Sequence, residues 1–243
     1  MVLTRCVTPV PRRALEQPWR GASGGVVTSS TPTPTQPASG GRITRTLGRL
    51  YLRLAGWHIE GALPPDVRKA VVVAAPHTTN WDMPHMIAVA WALDVRPSWL
   101  GKKSLFRFPF GWMMRKLGGI PVDRSRRANV VDQAIERFAA ADRLLLVIPP
   151  SGTRSRAAHW KSGFYHIARG AGVPILCSFL DYPSRTAGLG PCIRPTGVIG
   201  ADMGRMREFY SGITGRYPEL TTPVMLAEED ASSPRAADSE PAA

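Results

Sequence analysis

Three short apolar runs constrain the fold more than any other feature of the chain. Val71-Val72-Val73-Ala74-Ala75, Leu144-Leu145-Leu146-Val147-Ile148 and Pro174-Ile175-Leu176-Cys177-Ser178-Phe179-Leu180 are continuous rather than alternating. A strand that is apolar at nearly every position needs cover on both faces, as in a sheet sandwiched between helices. None of the runs approaches the roughly 18 apolar residues of a membrane-spanning helix. Helical periodicity fills the intervals at 83–93, 104–117, 128–141, 159–171 and 203–216, and weaker strand patterns lie at 98–101, 119–122 and 193–199. The alternation predicts a single α/β domain whose central, mostly parallel or mixed sheet is covered by helices. A chain of 243 residues accommodates one such domain with tails.

The flanks differ from this body. Residues 1–42 are rich in Pro, Thr, Ser and Gly and show no periodicity, which predicts a disordered tail without the apolar core of a secretory signal. Residues 227–243, rich in Ala, Ser, Pro and acids, are expected to be a second disordered tail, leaving a folded domain over 43–226. Within that domain Ile43, Leu47, Leu50, Tyr51 and Leu54 recur at helical spacing beside Arg42, Arg45, Arg49 and Arg53. Such a basic amphipathic helix suits the boundary between headgroups and acyl chains of an anionic membrane, or else it packs on its own domain.

Charge narrows the classes of partner. The chain carries 31 basic against 18 acidic residues, a net charge of +13, so a polyanion is an expected neighbour. Nucleic acid is the rival reading from another class, but no helix-turn-helix, zinc-finger or aromatic RNA-binding signature supports it, and anionic lipid accounts for the same charge. Three widely spaced cysteines without a C-x-x-C pair argue against a disulfide framework or structural zinc. Of the basic residues, 26 are arginine, in keeping with a GC-rich bacterial genome.

Three turns at strand ends hold the candidate chemistry. The first is Pro76-His77-Thr78-Thr79-Asn80-Trp81-Asp82, where a histidine and an aspartate five apart can fold back on each other across a strand-to-helix turn. An imidazole can take a proton from a hydroxyl while a carboxylate on its other nitrogen fixes the tautomer. The bland reading makes Asp82 a helix N-cap. The second turn, Gly119-Ile120-Pro121-Val122-Asp123-Arg124, and the third, Gly152-Thr153-Arg154-Ser155, place arginines past two further strands. In an open α/β sheet, ligands bind outside the carboxyl ends of strands, so His77, Arg124 and Arg154 are expected to converge. Guanidinium groups suit a phosphate, and Gly152 lets backbone amides approach an anion.

In order and spacing, His77-Thr78-Thr79-Asn80-Trp81-Asp82, Gly119–Arg124, Gly152-Thr153-Arg154-Ser155 and Val173-Pro174-Ile175 resemble the four motif blocks of the glycerolipid acyltransferase family, typified by 1-acylglycerol-3-phosphate (lysophosphatidate) acyltransferases. The resemblance covers residues 45–200. It implies that His77 is a general base oriented by Asp82, that Arg124, Gly152, Thr153 and Arg154 receive the acceptor phosphate, and that Val173 and Pro174 have an acyl-site or structural role. It further implies a fatty acyl group carried as a thioester of coenzyme A or acyl carrier protein, a lysolipid acceptor, no bound cofactor or metal, and peripheral attachment to the cytoplasmic face of the cell membrane. Lys102 and Lys103 are candidate donor-phosphate contacts. Phe106, Phe108, Phe110, Trp112 and Met113 line an acyl tunnel, a membrane face or simply the core.

One departure bears on the acceptor. The family's third block usually reads Pro-Glu-Gly-Thr-Arg-Ser, and here Ser151 stands in place of the glutamate. Serine retains a donor and an acceptor but no charge. The alternatives are a non-phosphorylated amphiphile as acceptor, ordinary glycerolipid activity, or a catalytically impaired membrane-binding homologue.

Overall fold

A computed structural model describes residues 41–122 and 127–232. Of the tails expected at 1–42 and 227–243, residues 1–40 and 233–243 lie outside the described residues, as does Arg124, whereas Gly41 and Arg42 open the first helix. The chain runs α1 (Gly41–Leu54), β1 (His58–Glu60), β2 (Lys69–Ala74), α2 (Asp82–Ala92), β3 (Pro97–Lys102), α3 (Gly111–Lys116), β4 (Gly119–Val122), α4 (Arg127–Ala140), β5 (Leu144–Ile148), α5 (Gly163–Gly170), β6 (Ile175–Asp181), β7 (Thr186–Ile193), α6 (Ile199–Tyr210) and α7 (Ala227–Ser232). The strands form one seven-stranded mixed sheet in the order β1-β7-β6-β2-β5-β3-β4. The six junctions are parallel except β6 with β7.

The three apolar runs are the central strands β2, β5 and β6, and their continuity follows from burial on two sides. On one face Val71, Val73, Leu146, Ile175 and Cys177 pack against Phe138 of α4, Phe164 and Ile167 of α5, and Met203 and Met206 of α6. On the other, Ala70, Val72, Leu145 and Leu176 form a second cluster. Beside it, Leu52 of α1 and Trp57 pack with Ala88, Val89 and Ala92 of α2 and with Leu180 and Ala187 of the sheet.

Four local readings are corrected. A helix over 104–117 is instead a 3-10 turn, Lys103–Phe106, followed by α3, because Pro109 lacks the N–H that a continuous helix needs and disfavours helical backbone at Phe108. The strand expected at 193–199 lies at Thr186–Ile193, in a stretch whose Gly188, Gly190 and Pro191 read as turn signals. There the glycines answer close approach: a Cβ at Gly188 would stand 1.8 Å from the Glu60 carbonyl oxygen, and one at Gly190 would stand 2.2 Å from the Phe209 ring. A register shift between Leu176 and Ser178 of β6 falls opposite Gly190 and Pro191 and lets the ladder pass the missing donor. Helix α5 starts at Gly163 rather than 159, since Trp160 pairs with Leu226 and the Lys161 amide bonds the Pro150 carbonyl at 2.8 Å. The segment at 227–232, read as tail, is the short helix α7, tied back by Arg207 to Glu229 at 2.6 Å.

Helix α1 uses two faces. Gly48 and Leu52 are buried against α2, and Arg45 pairs with Asp94 at 2.6 Å, whereas Ile43, Leu47, Leu50 and Leu54 are 76%, 50%, 50% and 80% exposed. Four of the five residues of the apolar stripe legible in the sequence therefore face outward, Tyr51 meets His85 of α2, and Gly48 and Leu52 dock the helix. A Cβ at Gly48 would come within 2.6 Å of the Ala88 carbonyl oxygen. Gly48→Leu is expected to cost about 1–3 kcal/mol in urea unfolding, in line with other overpacked sites. Leu47→Ala on the outward face should change stability by less than about 0.5 kcal/mol.

Candidate active site

Strands β2, β5, β3 and β4 are mutually parallel, so their carboxyl ends share one edge of the sheet. Residues 75–81 leave β2 on that edge and turn directly into α2, which begins at Asp82. Asp82 is almost wholly buried, at 1% exposure. Its Oδ2 accepts from His77 Nδ1 at 2.9 Å and from the amides of Thr78 and Thr79 at 3.0 and 3.1 Å. The carboxylate thus closes its own preceding turn instead of capping the amides that follow, and the N-cap reading gives way to a His–Asp pair. With Nδ1 donating to Asp82, His77 carries its lone pair on Nε2. The imidazole is partly exposed, at 22% of its side chain, and lines a cavity of about 2040 Å³.

A residue that motif reading missed completes the pair. Tyr182, on the turn between β6 and β7, donates its hydroxyl to Asp82 Oδ1 at 2.8 Å, so both carboxylate oxygens are engaged. The Tyr182 ring is held edge-on by Trp57, with centroids 5.1 Å apart. No short-range signal ties position 182 to position 82; only the adjacency of β2 and β6 does. Burial pushes the Asp82 carboxyl up, but the hydrogen bonds from His77, Tyr182 and the Thr79 amide together hold it below its ordinary 3.8. Burial, joined by the bond to Asp82, raises the Tyr182 phenol and keeps it protonated as a donor. His85, one turn along α2, faces away toward α1: its Nδ1 meets the Tyr51 hydroxyl at 3.2 Å, and burial lowers its pKa.

The other predicted residues are placed unequally. Gly152 lines the same cavity as His77, with φ of +65° that glycine adopts without strain. Thr153 and Arg154 are exposed beside it and do not line the cavity. Ser151 is buried, and its hydroxyl donates to the Thr153 carbonyl at 2.7 Å, so it holds the turn from within. A small cavity of about 30 Å³ bordered by Pro76, His77, Ser151 and Thr222 separates the two turns. Lys102 ends β3 at the carboxyl edge and Lys103 follows it, both exposed and outside the cavity lining. Val173 and Pro174 precede β6, at the opposite edge, where Val173 is buried and the Pro174 carbonyl accepts from Val71; they pack the sheet and do not reach the site. Among the described residues no group of three or more His, Cys, Asp or Glu is placed to hold a metal ion.

Beyond the polar rim the cavity is apolar. Val72, Leu145, Val147 and Leu176 of the sheet and Met86 and Ala90 of α2 line it, the chemistry of a site for a hydrocarbon chain. The aromatic segment contributes little to it. Phe106 is buried and stacks on Trp99 at 5.9 Å, but Phe108, Phe110 and Trp112 are 97%, 63% and 62% exposed, so the core and tunnel readings fail for those three.

Asp82 gives the fold an acid limit. A carboxyl whose folded pKa is depressed stabilises fully above its ordinary value of 3.8, and that contribution disappears as pH falls through the lower folded value. Tyr182→Phe leaves Oδ1 buried without a donor, which is expected to cost about 1–3 kcal/mol in urea unfolding at pH 7. Because the substitution also brings the folded pKa back toward 3.8, the variant should lose less further stability than the parent between pH 5 and pH 3.

The acyltransferase family matches residues 58–179. The 1-acyl-sn-glycerol-3-phosphate acyltransferase of Haemophilus influenzae is 33% identical over 149 residues, 58% of this chain and 60% of the relative; that of Escherichia coli is 30% identical over 143 residues, 54% and 57% respectively. The chain thus spans about 60% of the length of the curated relatives it matches. The crystal structure of the 1-acyl-sn-glycerophosphate (LPA) acyltransferase from Thermotoga maritima aligns with a TM-score of 0.49 at 20% identity, covering 69% of this chain and 75% of that one. The family match alone takes in half of the sequence and includes both members of the His–Asp pair: this chain belongs to the acyltransferase family.

Proposed function

We propose that this protein transfers a fatty acyl group from a thioester of coenzyme A or acyl carrier protein to the hydroxyl of a lysophospholipid such as 1-acylglycerol-3-phosphate. The observation that carries the reading is the His77–Asp82 contact at the polar rim of a large apolar cavity. The acceptor hydroxyl bonds to His77 Nε2, which takes its proton as the oxygen attacks the thioester carbonyl. The tetrahedral intermediate then collapses, the C–S bond breaks, and the imidazolium returns the proton to the departing thiolate. Asp82 keeps the imidazole in the required tautomer and stabilises its charged form. A thioester is already activated, so positioning and proton removal supply most of what the reaction needs. No covalent acyl-enzyme and no metal enters this scheme.

Arg124 and Arg154, the arginines of the second and third family motifs, are assigned to the acceptor phosphate together with Gly152 and Thr153 of the third motif. A second reading rests on Ser151: its neutral hydroxyl is spent on the Thr153 carbonyl, so the turn lacks the carboxylate usual in the motif, and a non-phosphorylated amphiphile becomes the competing acceptor. Membrane attachment is supported by the outward stripe of α1 and by the exposed Phe108, Phe110 and Trp112. No helix among the described residues is long and apolar enough to cross a membrane.

Incubating purified protein with a labelled acyl thioester and a panel of lysolipid and uncharged amphiphile acceptors identifies the product directly. Acylated lysophosphatidate is expected, and His77→Ala should lower kcat by about 10²–10⁴-fold without loss of fold. Arg154→Ala should raise KM for the phosphorylated acceptor more than for the thioester. Co-sedimentation with anionic vesicles should fall when Leu47 and Leu50 are both replaced by Asp, with circular dichroism unchanged.

A further inference from the structure

The phosphate-site residues implied by the motifs are arginines on turns, yet the cation that lies across Gly152 is a lysine ten residues away from Ser151 that no motif named. A Cβ built on Gly152 would lie 2.5 Å from Lys161 Nζ and 2.9 Å from its Cε, so the lysine side chain lies directly across the glycine. The approach is anchored at both ends of the turn. The Lys161 amide donates to the Pro150 carbonyl at 2.8 Å, and the Gly152 amide donates to the Pro149 carbonyl at 3.0 Å. One residue earlier, Trp160 is buried and fixed to the segment before α7 by its amide, which donates a hydrogen bond to the Met225 carbonyl at 2.8 Å. The ammonium is therefore delivered from a rigid backbone, although the side chain itself remains exposed.

Position and charge both favour an anion there. Lys161 lines the same cavity as His77 and Gly152, whereas Arg154 does not. Among the described residues no carboxylate lies within ion-pair distance of Lys161. Glu228, which lines the same cavity, is held by Ser162 and His166. The other cations on the cavity wall include Arg115 and Lys116, which lie over the rings of Phe106 and Trp112. Glycine at 152, with φ of +65°, leaves room for the ammonium over the turn, and since the Gly152 amide is spent on the Pro149 carbonyl, the charge an anion meets there is the lysine's.

We infer that Lys161 is a specificity-determining residue that receives the anionic headgroup of the acceptor, a phosphomonoester, over the Gly152 turn. The inference rests on the acyltransferase reading of the same site. It explains how a turn that has Ser151 in place of a carboxylate retains phosphate recognition: the headgroup is held by a point charge from the α5 side as well as by guanidinium groups. Glycine at 152 is then required twice, by its backbone conformation and by the room the lysine occupies.

The test separates charge from packing. Lys161→Gln keeps the length of the side chain and a donor but removes the charge, and Lys161→Arg keeps the charge. With lysophosphatidate as acceptor, Lys161→Gln should raise KM about tenfold or more while kcat stays within threefold, and Lys161→Arg should recover most of the loss. With monoacylglycerol as an uncharged acceptor, and with the thioester, KM should be unchanged. Equal changes for charged and uncharged acceptors, or no change for either, would overturn the assignment. Binding of sn-glycerol 3-phosphate measured by calorimetry needs no turnover: it should weaken about tenfold in Lys161→Gln and persist in His77→Ala. Failure of wild-type protein to bind this probe, or equal binding by wild type and Lys161→Gln, overturns the lysine assignment, whereas intact turnover in His77→Ala overturns the catalytic reading and leaves the binding result standing.

Discussion

A single buried carboxylate holds the site together. Asp82 accepts from His77, from the amides of Thr78 and Thr79, and from the Tyr182 hydroxyl, which joins the end of β2, the start of α2 and the β6–β7 turn at one point. An anion taken out of water is tolerated only where its lone pairs are met, and here four donors meet them. The turn geometry, the tautomer of His77 and the position of Tyr182 are consequences of satisfying that one group. Rigidity at the rim contrasts with the apolar cavity behind it, where shape and hydrophobicity matter more than direction.

The same economy appears in α1. Gly48 and Leu52 fasten the helix to α2, and all of the stripe that looks most core-like except Tyr51 stays outside. In an isolated soluble domain such exposure is unfavourable, and larger contiguous apolar patches usually mark an interaction surface. Together with the exposed aromatics around α3, the outward stripe gives the domain apolar surface flanked by arginines, a combination suited to a bilayer boundary with anionic headgroups.

Legibility in the sequence depended on the range of the interaction. The central strands β2, β5 and β6 were readable because burial on two faces forces a continuous apolar run, a purely local signature. The His77–Asp82 pair was readable because both members sit on one turn. Strand β7 carries no local strand signature because its glycines answer to neighbours distant in sequence, Glu60 and Phe209, and the start of α5 is hidden because Trp160 and Lys161 give their amides to remote carbonyls. Tyr182 and Lys161 have no signature in the sequence for the same reason: neither belongs to a local pattern, and each reaches the site through packing.

The sequence by itself determined the α/β class, the central strands and the turn that carries the His–Asp pair, since each is set by residues within a few positions of one another. Tertiary structure alone decided which face of α1 is buried, which cation stands over Gly152 and which hydroxyl completes the shell of Asp82. Those outcomes depend on how elements remote in the chain share space, and the closeness that permits a hydrogen bond or forbids a Cβ exists only once the sheet and its helices have packed.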